Sequence, residues 1–192
     1  MKPYPGHQSE ALHSKLWGIR AKASERGTVM QESVLNGKRI LVVDDEPDVF
    51  SVLEEELLVA APKSKLEKAT TYEEAAEKLE FQTYDLVILD IMGVRGFDLL
   101  DLAVRKNFRV AMLTAHSLTP QALKRSFEMK ARAYLPKEKL GELVPFLEDV
   151  LKYEYLPGWQ RLMKKLESYF DARWEKHWQK GEVNLENLWK DF

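Results

Sequence analysis

Residues 84–90 read YDLVILD. Four consecutive aliphatic residues, Leu86 to Leu89, predict a strand covered on both faces, as strands of a parallel sheet are. The strand ends in a carboxylate, Asp90. Outward from it the same pattern recurs. Arg39 to Val43 is a strand that ends in Asp44, Asp45 and Glu46. Val110 to Leu113 ends in Thr114, and Arg132 to Leu135 is followed by Lys137. In open α/β sheets the crevice beyond the carboxyl ends of the strands is where chemistry sits. Acids, a hydroxyl and an ammonium, each just past a strand, can therefore meet in one small pocket.

Amphipathic stretches separate these strands. Pro47 opens a helix with Val49, Leu53 and Leu57 on one face, and proline suits a first helical turn. Lys65 to Ala69 is a more polar strand, as expected at a sheet edge. Thr71-x-x-Glu74 is a capping-box pattern opening a helix to about Phe81. Further helices are expected near Phe97–Val104, Pro120–Lys130 and Leu140–Lys152. The result is (βα)₅, and strands alternating with helices imply a parallel sheet with right-handed crossovers. Three regions follow: an N-terminal extension, 1–37, partly helical around Leu12, Leu16 and Ile19 or flexible; the α/β domain, 38–152; and a C-terminal extension, 153–192. Asn36-Gly37 and Leu156-Pro157-Gly158 punctuate the boundaries. In the C-terminal extension Trp159, Leu162, Met163, Leu166, Tyr169, Phe170, Trp174 and Trp178 keep helical spacing. They predict an aromatic amphipathic helix over 159–178, ended by Gly181. Leu185, Leu188 and Trp189 suggest one more short helix.

Composition narrows the function classes. The chain has 192 residues, 45% hydrophobic and 31% charged, as in globular proteins. A formal net charge of −2 gives no global pull toward nucleic acid or anionic lipid. There are no cysteines, so disulfides, thiol chemistry and cysteine metal sites are excluded. The four histidines, His7, His13, His116 and His177, are scattered, which argues against zinc. No signal peptide and no apolar run of roughly 20 residues is visible, so a cytoplasmic chain without a membrane span is expected.

Carboxylates crowded at strand ends repel one another and persist where a cation shares the site. Mg²⁺ suits hard oxygen ligands. A carboxylate beside Mg²⁺ and a lysine can attack phosphorus, with the metal and the ammonium neutralising the phosphoryl oxygens. Any one of these residues alone reads as a helix cap, a strand-end hydroxyl or a solvated lysine. Their combination points to phosphoryl chemistry.

The stretches RILVVDDEPDV (39–49), YDLVILDIM (84–92), VAMLTAH (110–116) and ARAYLPKE (131–138) resemble the receiver domain of bacterial two-component response regulators. The resemblance covers about residues 38–152. It implies a flavodoxin-like, doubly wound parallel sheet of order 2-1-3-4-5, here with a C-terminal helical extension; the order itself is a known example of this fold. It implies that Asp90 is the phosphoacceptor and that Thr114 and Lys137 contact the phosphoryl group. It implies Mg²⁺ held by Asp45, by Asp44 largely through water, by Asp90 and by the backbone carbonyl of Met92. Tyr134 is implied as an aromatic switch that turns inward when Thr114 moves. The sequence departs from the family pattern after the phosphoacceptor: Asp90-Ile-Met-Gly93-Val-Arg-Gly96 lacks the usual proline and brings the glycine two residues early, so a shorter loop is expected. Lys130 stands where a helix-ending glycine is common.

The expected function is that of a stand-alone receiver, phosphorylated on Asp90 by a histidine kinase or phosphotransfer protein and signalling through protein contacts. It is not expected to be an enzyme beyond its own phosphorylation and dephosphorylation. Self-association or docking of a downstream protein is expected through 159–178, and no nucleic acid. Two alternatives belong to other classes. An aspartyl-phosphate phosphatase or phosphotransferase of the haloacid-dehalogenase kind needs a second Asp two residues after the first, where Met92 stands. A degenerate receiver that binds partners without phosphorylation is disfavoured by the complete set of pocket residues.

Overall fold

The computed structural model describes residues 32–115, 118–174 and Trp178. The chain divides into two units, Met1–Glu32 and Ser33–Phe192. Of the first only Glu32 is described, so the expected helix around Leu12 falls outside the described residues, as do His116, Gly181 and the segment with Leu185, Leu188 and Trp189.

Among the described residues of the second unit, five strands and six α-helices follow one another. They run β1 (Arg39–Val43), α1 (Pro47–Ala60), β2 (Lys65–Ala69), α2 (Tyr72–Phe81), β3 (Leu86–Asp90), α3 (Gly96–Arg105), β4 (Val110–Thr114), α4 (Pro120–Glu128), β5 (Ala133–Pro136), α5 (Val144–Lys152) and α6 (Tyr155–Asp171). All pairings are parallel and the order is β2-β1-β3-β4-β5. The fold is thus the doubly wound sheet expected. Every residue of β3 and of β4 is buried, which is why Leu86 to Leu89 read as an unbroken apolar run. The polar β2 is an edge strand, half exposed. Helices α1 and α5 pack against each other, as do α2 and α3.

Local chemistry sets the helix ends. Thr71 Oγ1 accepts the Glu74 amide at 3.2 Å, while Glu74 Oε2 accepts the Thr70 amide at 3.1 Å, so the capping pattern is made with a one-residue offset on the return bond. Thr71→Ala is expected to cost about 1 kcal/mol in chemical unfolding. At the end of α4, Lys130 takes a left-handed φ of 68°, with the Ala131 amide bonded to the Ser126 carbonyl at 2.9 Å. A lysine here occupies the position glycine usually fills.

Two boundaries differ from the sequence expectation. The helix expected from Leu140 is split: Lys137–Glu142 form a 3-10 turn, and α5 begins at Val144, because Pro145 lacks the N–H that only a first turn can do without. Leu156-Pro157-Gly158 is not a break. It lies in the first turn of α6, where a proline is tolerated for the same reason.

The larger correction concerns the aromatic stripe. The sequence predicts a helix over 159–178 that seeks a second copy or a partner. Instead, α6 ends at Asp171, and Trp159, Leu162, Met163, Leu166 and Phe170 are buried against their own domain. The sheet faces are covered by helices, as anticipated, but the edge at β5 is open, and α6 lies along it. Near the start of β5 the Trp159 indole N–H donates to the Ala131 carbonyl at 2.8 Å, and its ring meets Phe127 edge-on at 5.3 Å. Further on, Phe170 lies 6.3 Å from the Tyr134 ring.

Candidate functional site: a lysine-bridged carboxylate pocket

The register brings the pocket together. Val43 pairs with Leu89, so Asp44 and Asp90 follow side by side, and Thr114 pairs with Pro136, one residue before Lys137. Asp44 and Thr114 are fully buried, Asp90 nearly so, and Lys137 is buried to its tip. The Lys137 ammonium reaches Asp44 Oδ2 at 2.9 Å, Glu46 Oε1 at 2.8 Å and Asp90 Oδ1 at 3.1 Å. One cation thus holds three carboxylates from the ends of β1 and β3.

Asp90 is further fixed by its loop. Its Oδ2 accepts the Met92 amide at 2.8 Å and the Gly93 amide at 2.9 Å. This leaves Oδ1 toward the lysine. The short loop works through two glycines. A Cβ at Gly93 would lie 2.0 Å from Asp45 Oδ1, and one at Gly96 would lie 1.9 Å from the Asp90 carbonyl oxygen. Any side chain at Gly96 would push α3 away from the end of β3, and one at Gly93 would displace the Asp45 carboxylate.

Burial pushes the Asp44 carboxyl up, and the Glu46 amide and Lys137 oppose it. For Lys137 burial pulls the ammonium down, but the bonds to Glu46 and Asp44, and the field of Asp90, outweigh it and hold the group above its usual range. Asp44 Oδ2 is buried and accepts no well-aligned hydrogen bond, although the ammonium is only 2.9 Å away. It has capacity left for a hard cation. Among the described residues no group of three carboxylates or imidazoles is already arranged to hold a metal ion. Asp45 is exposed at the rim, against Gly93, and the Met92 side chain is 61% exposed.

Tyr134, on β5, is fully buried. Its hydroxyl oxygen accepts the Thr119 amide at 3.0 Å. The sequence expectation names Tyr134 but assigns it neither Thr119 nor Phe170, which reach it from other elements. Nor does it assign Glu46 to Lys137. Glu46 begins α1 without capping it, and that unspent carboxylate is the local sign that it serves another partner.

Residues 40–147, more than half of the chain, match the response regulator receiver domain. The chain belongs to that family. The sensory transduction protein LytR of Staphylococcus epidermidis is 31% identical over 114 residues, 55% of this chain and 44% of that protein. The receiver domain therefore sits in a chain that spans less than half the length of this relative. Among solved structures, the receiver domain of NtrX from Brucella abortus is 25% identical, with a TM-score of 0.52 over 60% of this chain and 99% of that one. A response regulator from Thermotoga maritima shares the fold at 20% identity, TM-score 0.54, over 60% of this chain and 98% of its own. A receiver is a signalling domain of two-component systems, and α6 lies beyond its matched span. No helix among the described residues is long and apolar enough to cross a membrane.

Proposed function

We propose that this receiver accepts a phosphoryl group on Asp90 from a histidine kinase or phosphotransfer protein in the cytoplasm, in a Mg²⁺-dependent reaction, and signals through protein contacts. The observation that carries the reading is the Lys137 ammonium bridging Asp44, Glu46 and Asp90 beyond the ends of the parallel strands. Asp90 Oδ1 forms the new bond to phosphorus, the bond from phosphorus to the donor imidazole nitrogen breaks, and that nitrogen keeps the electron pair and later takes a proton. The Met92 and Gly93 amides orient the carboxylate. Lys137 and the Thr114 hydroxyl then contact the phosphoryl oxygens.

The donor set suits Mg²⁺, since it offers only hard oxygens and includes the under-used Asp44 Oδ2. Asp45, Asp44, Asp90 and the Met92 carbonyl would hold it. When bound, the ion neutralises charge on the transferring oxygens.

Intact mass after incubation with acetyl phosphate, with and without Mg²⁺, tests the reading, since one phosphoryl group should appear only with the metal. The rim sets the lifetime of the product. Met92 is exposed beside Asp90 and cannot orient an attacking water. Met92→Asn can, and the acyl-phosphate should then hydrolyse about threefold faster, a barrier change under 1 kcal/mol. Equal half-lives for the two proteins would remove Met92 from this role.

A further inference from the structure

Helix α6 does more than cover an apolar edge. Its first turns and its last turns touch different parts of the domain. Trp159 is anchored at Ala131 and Phe127, at the start of β5 and the end of α4. The other end reaches the carboxyl ends of the strands, where the pocket is. There Phe170, fully buried, faces Tyr134. Trp174 stacks flat on Phe170, with centroids 4.4 Å apart and planes at 3°, and its indole N–H donates to the Leu118 carbonyl at 3.0 Å. Tyr169 lies beside Glu138, the residue after Lys137; burial and then that carboxylate push its phenol up.

These contacts fall on the two segments that carry pocket residues. Leu118 and Thr119 follow Thr114 on the way to α4. Thr119 is tied to Tyr134 through its amide, and its Oγ1 caps α4 by accepting the Ala122 amide at 3.1 Å. Trp174 holds the carbonyl of Leu118, and Phe170 holds the ring of Tyr134. Leu118 and Thr119 are therefore held from two sides, by Trp174 just beyond α6 and by the tyrosine that Phe170 covers. Buried aromatic groups this closely packed do not shift singly, because the interior has few voids to absorb a moved ring.

We infer that the end of α6 and the turn that follows it, Tyr169 to Trp174, form an intramolecular clamp coupled to phosphorylation, ordering the Leu118–Thr119 segment and Tyr134 so that Thr114 is held ready for the phosphoryl group. The inference rests on the proposed phosphorylation of Asp90. Its direction follows from entropy. A segment that is already ordered loses less freedom when the phosphoryl group is bound, so the clamp favours the phosphorylated form. Linkage makes the effect reciprocal: phosphorylation must tighten the clamp by the same factor.

The test uses the full chain with acetyl phosphate and Mg²⁺ and reads three quantities on the same samples. Intact mass gives phosphoryl occupancy. Amide hydrogen exchange is followed in residues 166–174 and in the proximal turns around Trp159. The acetyl phosphate concentration for half-occupancy is compared between wild type, Trp174→Phe, which removes the indole N–H but keeps a ring, and Trp174→Ala. Trp174 is only half-buried, so these variants should remain folded. The expected result is slower exchange on phosphorylation, by about fivefold, confined to 166–174, with Trp174→Ala raising the half-occupancy concentration by about the same factor and Trp174→Phe by less. If the wild-type chain gains its phosphoryl group but exchange in 166–174 is unchanged and both variants are modified like wild type, the clamp is wrong and the receiver reading stands. If no phosphoryl group appears on the wild-type chain, the receiver reading fails and the clamp fails with it.

Discussion

Asp90→Asn is expected to take up no phosphoryl group under conditions that modify the wild-type chain, while remaining folded. The amide oxygen can still accept from the Met92 and Gly93 amides, which bond the native carboxylate at 2.8 and 2.9 Å. Lys137 loses one of three partners and keeps Asp44 and Glu46. Loss of one ion pair is offset by relief of repulsion between Asp44 and Asp90. The melting temperature should therefore stay within about 4 °C, the shift that corresponds to roughly 1 kcal/mol for a domain of this size. Incorporation into Asp90→Asn at the wild-type level would mean that another residue is the acceptor.

Trp159→Ala is expected to have the largest effect on stability, a loss of about 3–5 kcal/mol in chemical unfolding. The side chain is fully buried, and its removal leaves a cavity between α6 and α4. It also strips the Ala131 carbonyl of its indole donor. Trp159→Phe keeps much of the volume and loses the hydrogen bond, and should cost less, about 1–3 kcal/mol. A cost below about 1 kcal/mol for the alanine variant would show that α6 is not part of the core. The position lies outside the span that matches the receiver family, so this measurement asks whether the receiver fold of this chain extends to its sixth helix.

Much of this was legible in the sequence for physical reasons. A strand buried on both faces has to be apolar throughout, and Leu86 to Leu89 are. A strand at a sheet edge can be polar, and Lys65 to Ala69 is. The pocket was legible because parallel strands place all their carboxyl ends on one side, so Asp44, Asp90, Thr114 and Lys137 needed no long-range information to be grouped. The reach of a flexible side chain was not legible. Glu46 pairs with Lys137 across 91 positions of sequence, and nothing local names that lysine as its partner. The destination of the aromatic stripe was likewise hidden. Periodicity shows that Trp159 to Phe170 form an apolar face, but not what covers it, and the answer depended on β5 being an edge. The glycines at 93 and 96 could be counted but not interpreted, because their need comes from Asp45 and from the Asp90 carbonyl oxygen approaching through space.

The central claim is that Asp90, held by Lys137 and served by a hard divalent cation, is a phosphoryl acceptor. The most direct measurement is the intact mass of the full chain incubated with acetyl phosphate, with Mg²⁺ or with a chelator, followed by peptide mapping of the modified residue. The account predicts a gain of one phosphoryl group with Mg²⁺, none with chelator, and its location on the peptide containing Asp90. An unchanged mass with Mg²⁺ present, or a phosphoryl group mapped to any other residue, would contradict it.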